Sequence, residues 1–200
     1  QSQVGILAGE NHGTVEQVTV TGDVTGDEDV GALVGVNGSS GVVRSCTNRA
    51  SVTGNTNSGG IAGRNEGMIQ SCTNLGEVNT GGNDAATNSG GIAGRNTGTV
   101  ADCTNHAAVG YAHTGYNTGG IAGIQNGALL RCFNDGEILG RKDVGGIVGQ
   151  FEPYVTLTYG EDPMERLDGA LASLSTLMTQ LSGQIHSSAG DAVDDISAIH

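Results

Sequence analysis

The 200-residue chain has no tryptophan, two prolines, two phenylalanines and four tyrosines, so no interior can be built around stacked rings. Its core has to come from Val, Ile, Leu, Ala and Cys. Basic residues are equally scarce, with 8 Lys and Arg against 21 Asp and Glu and a formal net charge of -13. That balance excludes a surface that seeks polyanions, because nucleic acids take most of their affinity from Lys and Arg at phosphates. No run of 18 apolar residues exists to span a bilayer as a helix. Cys-x-x-Cys, His-Glu-x-x-His, Gly-x-Ser-x-Gly, Gly-x-Gly-x-x-Gly and phosphate-loop patterns are all missing. The chain opens Gln-Ser-Gln and closes within a helical pattern, and we read it as an excised piece of a longer protein.

What is abundant is glycine, 36 residues, and it is periodic. Short blocks recur: Gly5 to Gly9, Gly31 to Gly35, Gly59 to Gly63, Gly90 to Gly94, Gly119 to Gly123 and Gly145 to Gly149, with final glycines 26, 28, 31, 29 and 26 residues apart. Cys72, Cys103 and Cys132 each lie 9 residues after a block, and Cys46 lies 11 after because of a two-residue insertion. Repeats of this length are the signature of a solenoid.

Superposing the blocks turns the chain into columns. Two residues before each final glycine stands Leu7, Leu33, Ile61, Ile92, Ile121 or Ile147, which has to face inward. A carboxamide column follows (Asn11, Asn37, Asn65, Asn96, Gln125), then an apolar one (Val15, Val43, Ile69, Val100, Leu129). The cysteines come three positions later, and since strands alternate with period two, that step demands a bend or bulge. A second amide column (Asn48, Asn74, Asn105, Asn134) precedes a last aliphatic one (Val24, Val52, Val78, Val109, Ile138). Each coil is therefore expected to carry three short strands separated by Gly- and Asn-rich bends. The expected fold is all-β: a right-handed parallel β-helix of about five to six coils of 26–31 residues over 1–152, a cap or linker over 153–162, and an amphipathic helix over 163–200.

Buried amides are costly unless paired, and identical amides in register can donate and accept along a column. Stacked cysteines are close enough for a disulfide, but four equivalent inward positions favour reduced thiols packing as small hydrophobes. Insertions fall between the last Val column and the next block, and the longest are Asn79 to Ser89 and Gly110 to Thr118. Solenoid insertions collect on one face, often the binding face, so recognition is expected there, near Tyr111, His113 and Tyr116.

The Gly-Ile-Ala-Gly blocks followed by Asn-x-Gly and a Val/Ile strand resemble the GLUG-motif repeats of bacterial cell-surface proteins, over about residues 4–151. Such repeats occur in adhesin-like proteins of Firmicutes and in non-catalytic parts of IgA1-protease-type metallopeptidases. The resemblance implies an extracellular, surface-attached β-solenoid whose partners are host proteins or glycans. It transfers no metallopeptidase activity, since the zinc motif is missing.

Candidate chemistry is thin. Asp23, Glu77 and Glu137 recur in one outward column of alternate coils, two rungs and so about 9.6 Å apart, near the upper limit for an inverting glycosidase pair. Asp23, Asp27, Glu28 and Asp29 crowd a loop and offer oxygen ligands for Ca²⁺, but without EF-hand or nonapeptide spacing. Arg64 and Arg95 share a column and form a candidate anion-binding pair or a solvated face. His12, His106, His113, His186 and His200 are scattered. No catalytic, cofactor-binding or metal set is assigned. The expected role is a non-catalytic structural or adhesive module; the competing reading is a β-helix lyase or hydrolase, or an accessory region of a secreted metallopeptidase.

After Gln150 the repeat stops, and Phe151 to Tyr154 are expected to cap the last coil. Asp162, Pro163 and Glu165 form a helix start, and Leu167, Leu171, Leu174, Met178, Leu181 and Ile185 follow at heptad spacing. Ser188 and Gly190 leave open whether one helix or two follow. The stripe fits either packing within the protein or coiled-coil self-association.

Overall fold

The computed structural model describes residues 1–152 and 171–184. The chain divides into two compact units, Gln1–Tyr154 and Val155–His200. The first is a β-solenoid of about five turns with every strand pairing parallel to its equivalents in neighbouring coils.

Five rows of strands run along it. The first contains Ser2–Val4, Glu28–Gly31, Thr56–Gly59, Thr87–Gly90, Tyr116–Gly119 and Lys142–Gly145, and the second begins just past each block's centre, as in Val34–Asn37 and Ala62–Asn65. The third and fourth hold strands such as Met68–Gln70 and Thr73–Asn74. The fifth starts with Asp23–Thr25 and Ser51–Thr53 and continues as single bridges Val52 to Val78, Val78 to Val109 and Val109 to Ile138. The expectation of three strands per coil is thus too low: the glycine block, and the stretch after the second amide column, as between Thr47–Asn48 and Ser51–Thr53, each divide the chain where no break was expected. Each glycine block is itself a corner: a Cβ at Gly31 or Gly59 would press into the carbonyl oxygen of Val34 or Ala62, so only glycine lets the chain fold so tightly between two strands. The three-residue step before the cysteines is a further corner, made by Gln17, Ser45, Ser71, Asp102 and Arg131, all at φ of 49 to 57°. That bend is the one the spacing anticipates.

Equivalent apolar side chains lie over one another and form one continuous core. Leu33, Ile61, Ile92 and Ile121 are buried, with Val43, Ile69, Val100, Val52, Val78 and Val109 beside them. At about 25 cal/mol per Å² of apolar area removed from water, this column supplies most of the driving force. Because each coil packs mainly on its immediate neighbours, stability adds up rung by rung. At the end rungs the same column is open: Leu7 is 46% and Ile147 41% exposed.

The amide columns are hydrogen-bonded ladders. Asn11 donates to Asn37, Asn37 to Asn65 and Asn65 to Asn96 at 2.7–2.8 Å, and Asn96 donates to Gln125 at 2.9 Å. The second ladder runs Asn48 to Asn74, Asn105 and Asn134 at 2.6–2.8 Å. Each asparagine also bonds the backbone of its own bend, as Asn74 does with Gly76 at 2.9 Å, so its burial is compensated; Gln125, at the end of the first ladder, accepts from Asn96 while its buried Nε2 has no partner among the described residues. The four cysteines are free, with Cys46, Cys72 and Cys103 buried. The amide of Cys72 donates to the sulfur of Cys103 at 3.4 Å, and the thiol of Cys72 donates to Gln70 O at 3.3 Å.

Phe151 ends the last described strand opposite Gln125 and is 70% exposed, so it does not close the core in the way the sequence suggests. The remainder of the expected cap, the helix start at Asp162, and Leu167 and Ile185 lie outside the described residues. In the second unit residues 171–184 are helical. Leu171, Leu174, Met178 and Leu181 fall on that helix at the expected spacing and are exposed.

Candidate functional site

The insertions do not loop out freely; they stack like the coils beneath them. Asn83 donates to Asn55 at 2.7 Å and accepts from the amide of Ala85 at 3.0 Å, which pins the 79–89 segment as an Asx turn. Tyr116 N then donates to Ala86 O, and Arg141 N to Gly115 O. These bonds bring segments from three successive coils together around one guanidinium. Arg141 donates from Nε to His113 O at 3.0 Å, from Nη2 to Asp84 Oδ1 at 3.1 Å and from Nη1 to Tyr116 Oη at 3.4 Å. Its Cζ stands 5.8 Å from the centre of the Tyr116 ring, within cation–π range. The Tyr116 hydroxyl, and then Asp84, raise the Arg141 pKa above its ordinary value.

Tyr111 lies against Gly82, where an added Cβ would come within 3.3 Å of the ring and where φ is +74°. Two exposed rings therefore lie on these stacked segments, Tyr116 at 36% against Arg141 of the Asp84–Arg141 pair and Tyr111 at 49% against Gly82. Rings beside hydrogen-bonding charged groups are suited to an apolar sugar face and its hydroxyls. The sequence located this face through its insertions and tyrosines. It did not reveal Arg141, whose segment has no insertion and which joins the cluster only through stacking.

The other sequence candidates fall elsewhere. Asp23, Glu77 and Glu137 do face outward and sit beside the stacked Val24, Val78 and Ile138, with Glu77 accepting from Thr80 at 2.8 Å. In the acidic loop, Asp27 bonds Asn55 while Asp29 turns inward, accepting from Asn57 at 2.8 Å and from Arg64 at 3.3 Å. These carboxylates are engaged by an amide and a guanidinium, and among the described residues no group of three His, Cys, Asp or Glu side chains could hold a metal ion. His12 pairs with Glu10 and His106 with Asp135, both on the surface, while His186 and His200 lie outside the described residues.

Asp29 opens a third amide ladder that sequence reading missed. Asn57 donates to it, Asn88 to Asn57 and Asn117 to Asn88, at 2.7–2.8 Å. All four residues have φ between 51 and 59°. The signal was present: each lies two residues before a block's first glycine, and Asn and Asp tolerate the left-handed region better than other side chains.

Arg64 and Arg95 are register partners on adjacent coils and line an open groove of ≈ 370 Å³ with Glu28, Asp29, Asn57 and Glu66. Arg64 is neutralised by Asp29 and Glu66.

Comparison with known proteins adds little. A 42-residue stretch, 21% of this chain, is 50% identical to Halomucin of Haloquadratum walsbyi, and it amounts to 0% of that protein's length to the nearest percent. No family profile and no solved structure matches the chain. No helix among the described residues is long and apolar enough to cross a membrane.

Proposed function

We propose that the solenoid is a non-catalytic structural and adhesive module of a bacterial surface or secreted protein, holding neighbouring domains apart and contacting glycans or host proteins through the loop cluster. The carrying observation is the convergence of three consecutive coils on Arg141, with exposed Tyr116 against its guanidinium and exposed Tyr111 on the same stacked segments. The rest of each coil is occupied by stacking: its inward side chains fill the core, and its amides bond their equivalents. The extracellular location, GLUG kinship and adhesive role belong to this reading.

An enzymatic reading, a β-helix lyase or hydrolase, is favoured by one feature, the outward column of Asp23, Glu77 and Glu137 in alternate coils. Incubation with a panel of neutral and acidic polysaccharides separates the two. Retention of intact glycan, weakened roughly tenfold or more in Tyr116→Ala through loss of ring contact, supports the module. Shortened products that vanish in Glu77→Gln would establish the enzyme. Neither binding nor cleavage would leave a plain spacer.

A further inference from the structure

Among the described residues, Arg95 is the one place where two adjacent coils repeat a cation without repeating its counter-ions. On the earlier coil, Arg64 reaches Asp29 on one side and Glu66 on the other. One coil on, the residue equivalent to Asp29 is Asn57 and the residue equivalent to Glu66 is Thr97. Both replacements are neutral, and both are already engaged: Asn57 Oδ1 accepts from Asn88 at 2.7 Å, and Thr97 Oγ1 donates to Asn65 O at 3.2 Å. Arg95 makes no hydrogen bond or ion pair among the described residues, although it is half-buried on the wall of a groove. A half-buried guanidinium lacking an anion has lost part of its hydration without gaining a charge-assisted bond in return.

We infer that the groove around Arg95 binds a sugar acid, with the ligand's carboxylate taking the place that Asp29 and Glu66 occupy at Arg64. The planar guanidinium matches a carboxylate through two parallel N–H···O bonds. The sugar hydroxyls have acceptors within the same groove, in the carboxylates of Glu28 and Glu66. Those carboxylates also set the charge class. Glu28, Asp29 and Glu66 outnumber Arg64 and Arg95 in the lining, so a dianion is repelled more strongly than a single carboxylate on an otherwise neutral ring, whose binding rests on its direct bonds to Arg95. The overall charge of -13 points the same way, toward a sparsely charged glycan rather than a polyuronate.

The site is separate from the loop cluster around Arg141, and its test does not depend on adhesion. Free D-glucuronate is titrated into the ¹⁵N-labelled chain while the arginine Nε–Hε signals are followed, with D-glucose and inorganic phosphate as parallel probes. The Arg95 signal, assigned by its loss in Arg95→Gln, is expected to move saturably with glucuronate and to stay in place with glucose. Thr97→Glu copies the arrangement at Arg64 and is expected to weaken the titration roughly tenfold or more, because the ligand's place is then filled by an internal carboxylate. Tyr116→Ala is expected to leave it unchanged, which separates this site from the proposed adhesive one. The inference is overturned if Arg95 does not move, if exposed Arg49 moves equally, if phosphate binds more tightly than glucuronate, or if Thr97→Glu titrates like the parent chain.

Discussion

Ile92 and Ile147 occupy the same column of the same solenoid, yet the first is fully buried and the second is 41% exposed. Their local sequences, Gly-Gly-Ile-Ala-Gly and Gly-Gly-Ile-Val-Gly, are nearly the same. What differs is the number of neighbouring coils, two for Ile92 and one for Ile147 among the described residues. The contrast shows that a coil owns little stability of its own; the worth of a side chain is set by the rungs on either side. Interior and end positions of one column therefore form natural controls for each other.

The largest expected effect comes from truncating that column. Ile92→Ala opens a cavity in a core only one coil wide and is expected to cost about 2–5 kcal/mol. Ile147→Ala removes a half-solvated side chain and is expected to cost less than about 1 kcal/mol. Urea denaturation of both variants tests the pair, and equal losses would mean that the end rung is as well packed as the interior.

A smaller gap is expected along the amide ladder. Asn74→Ala removes the acceptor of Asn48, the donor to Asn105 and the local bond to Gly76, all of them buried. Leaving such groups short of partners costs about 1–3 kcal/mol. Asn134, at the last rung of that ladder, accepts from Asn105 and, among the described residues, otherwise bonds its own bend. Asn134→Ala is therefore expected to shift the urea midpoint less than Asn74→Ala. A reversed order would show that the ladder carries register rather than stability.

How much of this was readable beforehand depended on whether a feature repeats. Columns are visible because one chain samples the same site five or six times, so Ile61, Asn74 and Cys103 could each be placed inward from their equivalents. The Ser71 corner followed from a three-residue step that no flat strand allows. The Asp29 ladder is equally periodic, but its column mixes Gln3, Asp29, Asn57, Asn88, Asn117 and Asp143, polar types that by themselves do not mark an inward side chain. Arg141 was beyond reach for a different reason: its partners Asp84, His113 and Tyr116 come from segments of unequal length, and only folding aligns them. Arg95 is a broken repeat: its unmatched charge follows from Asn57 and Thr97 standing where Asp29 and Glu66 stand for Arg64.

The thiol column yields the smallest effect and the sharpest pH signature. Hydrogen bonding to Cys103 pushes the Cys72 thiol up from 9.0 to about 12, and burial raises Cys132 as well. A thiol with a raised pKa holds its proton more firmly in the folded chain than in the unfolded one, so it favours folding wherever the unfolded thiol would ionise only with difficulty. That contribution is complete below pH 9.0 and is lost as pH climbs from there toward about 12. Urea midpoints measured at pH 8 and pH 10.5 are expected to fall, and the fall should shrink in Cys72→Ala. Half-buried Cys132, at the end rung, is expected to react first with a thiol reagent at pH 8, while Cys72 and Cys103 react only as fast as the solenoid opens. Equal labelling rates for all four sulfurs would mean that interior rungs open as readily as the last one, and the difference between Ile92 and Ile147 would then have no counterpart in dynamics.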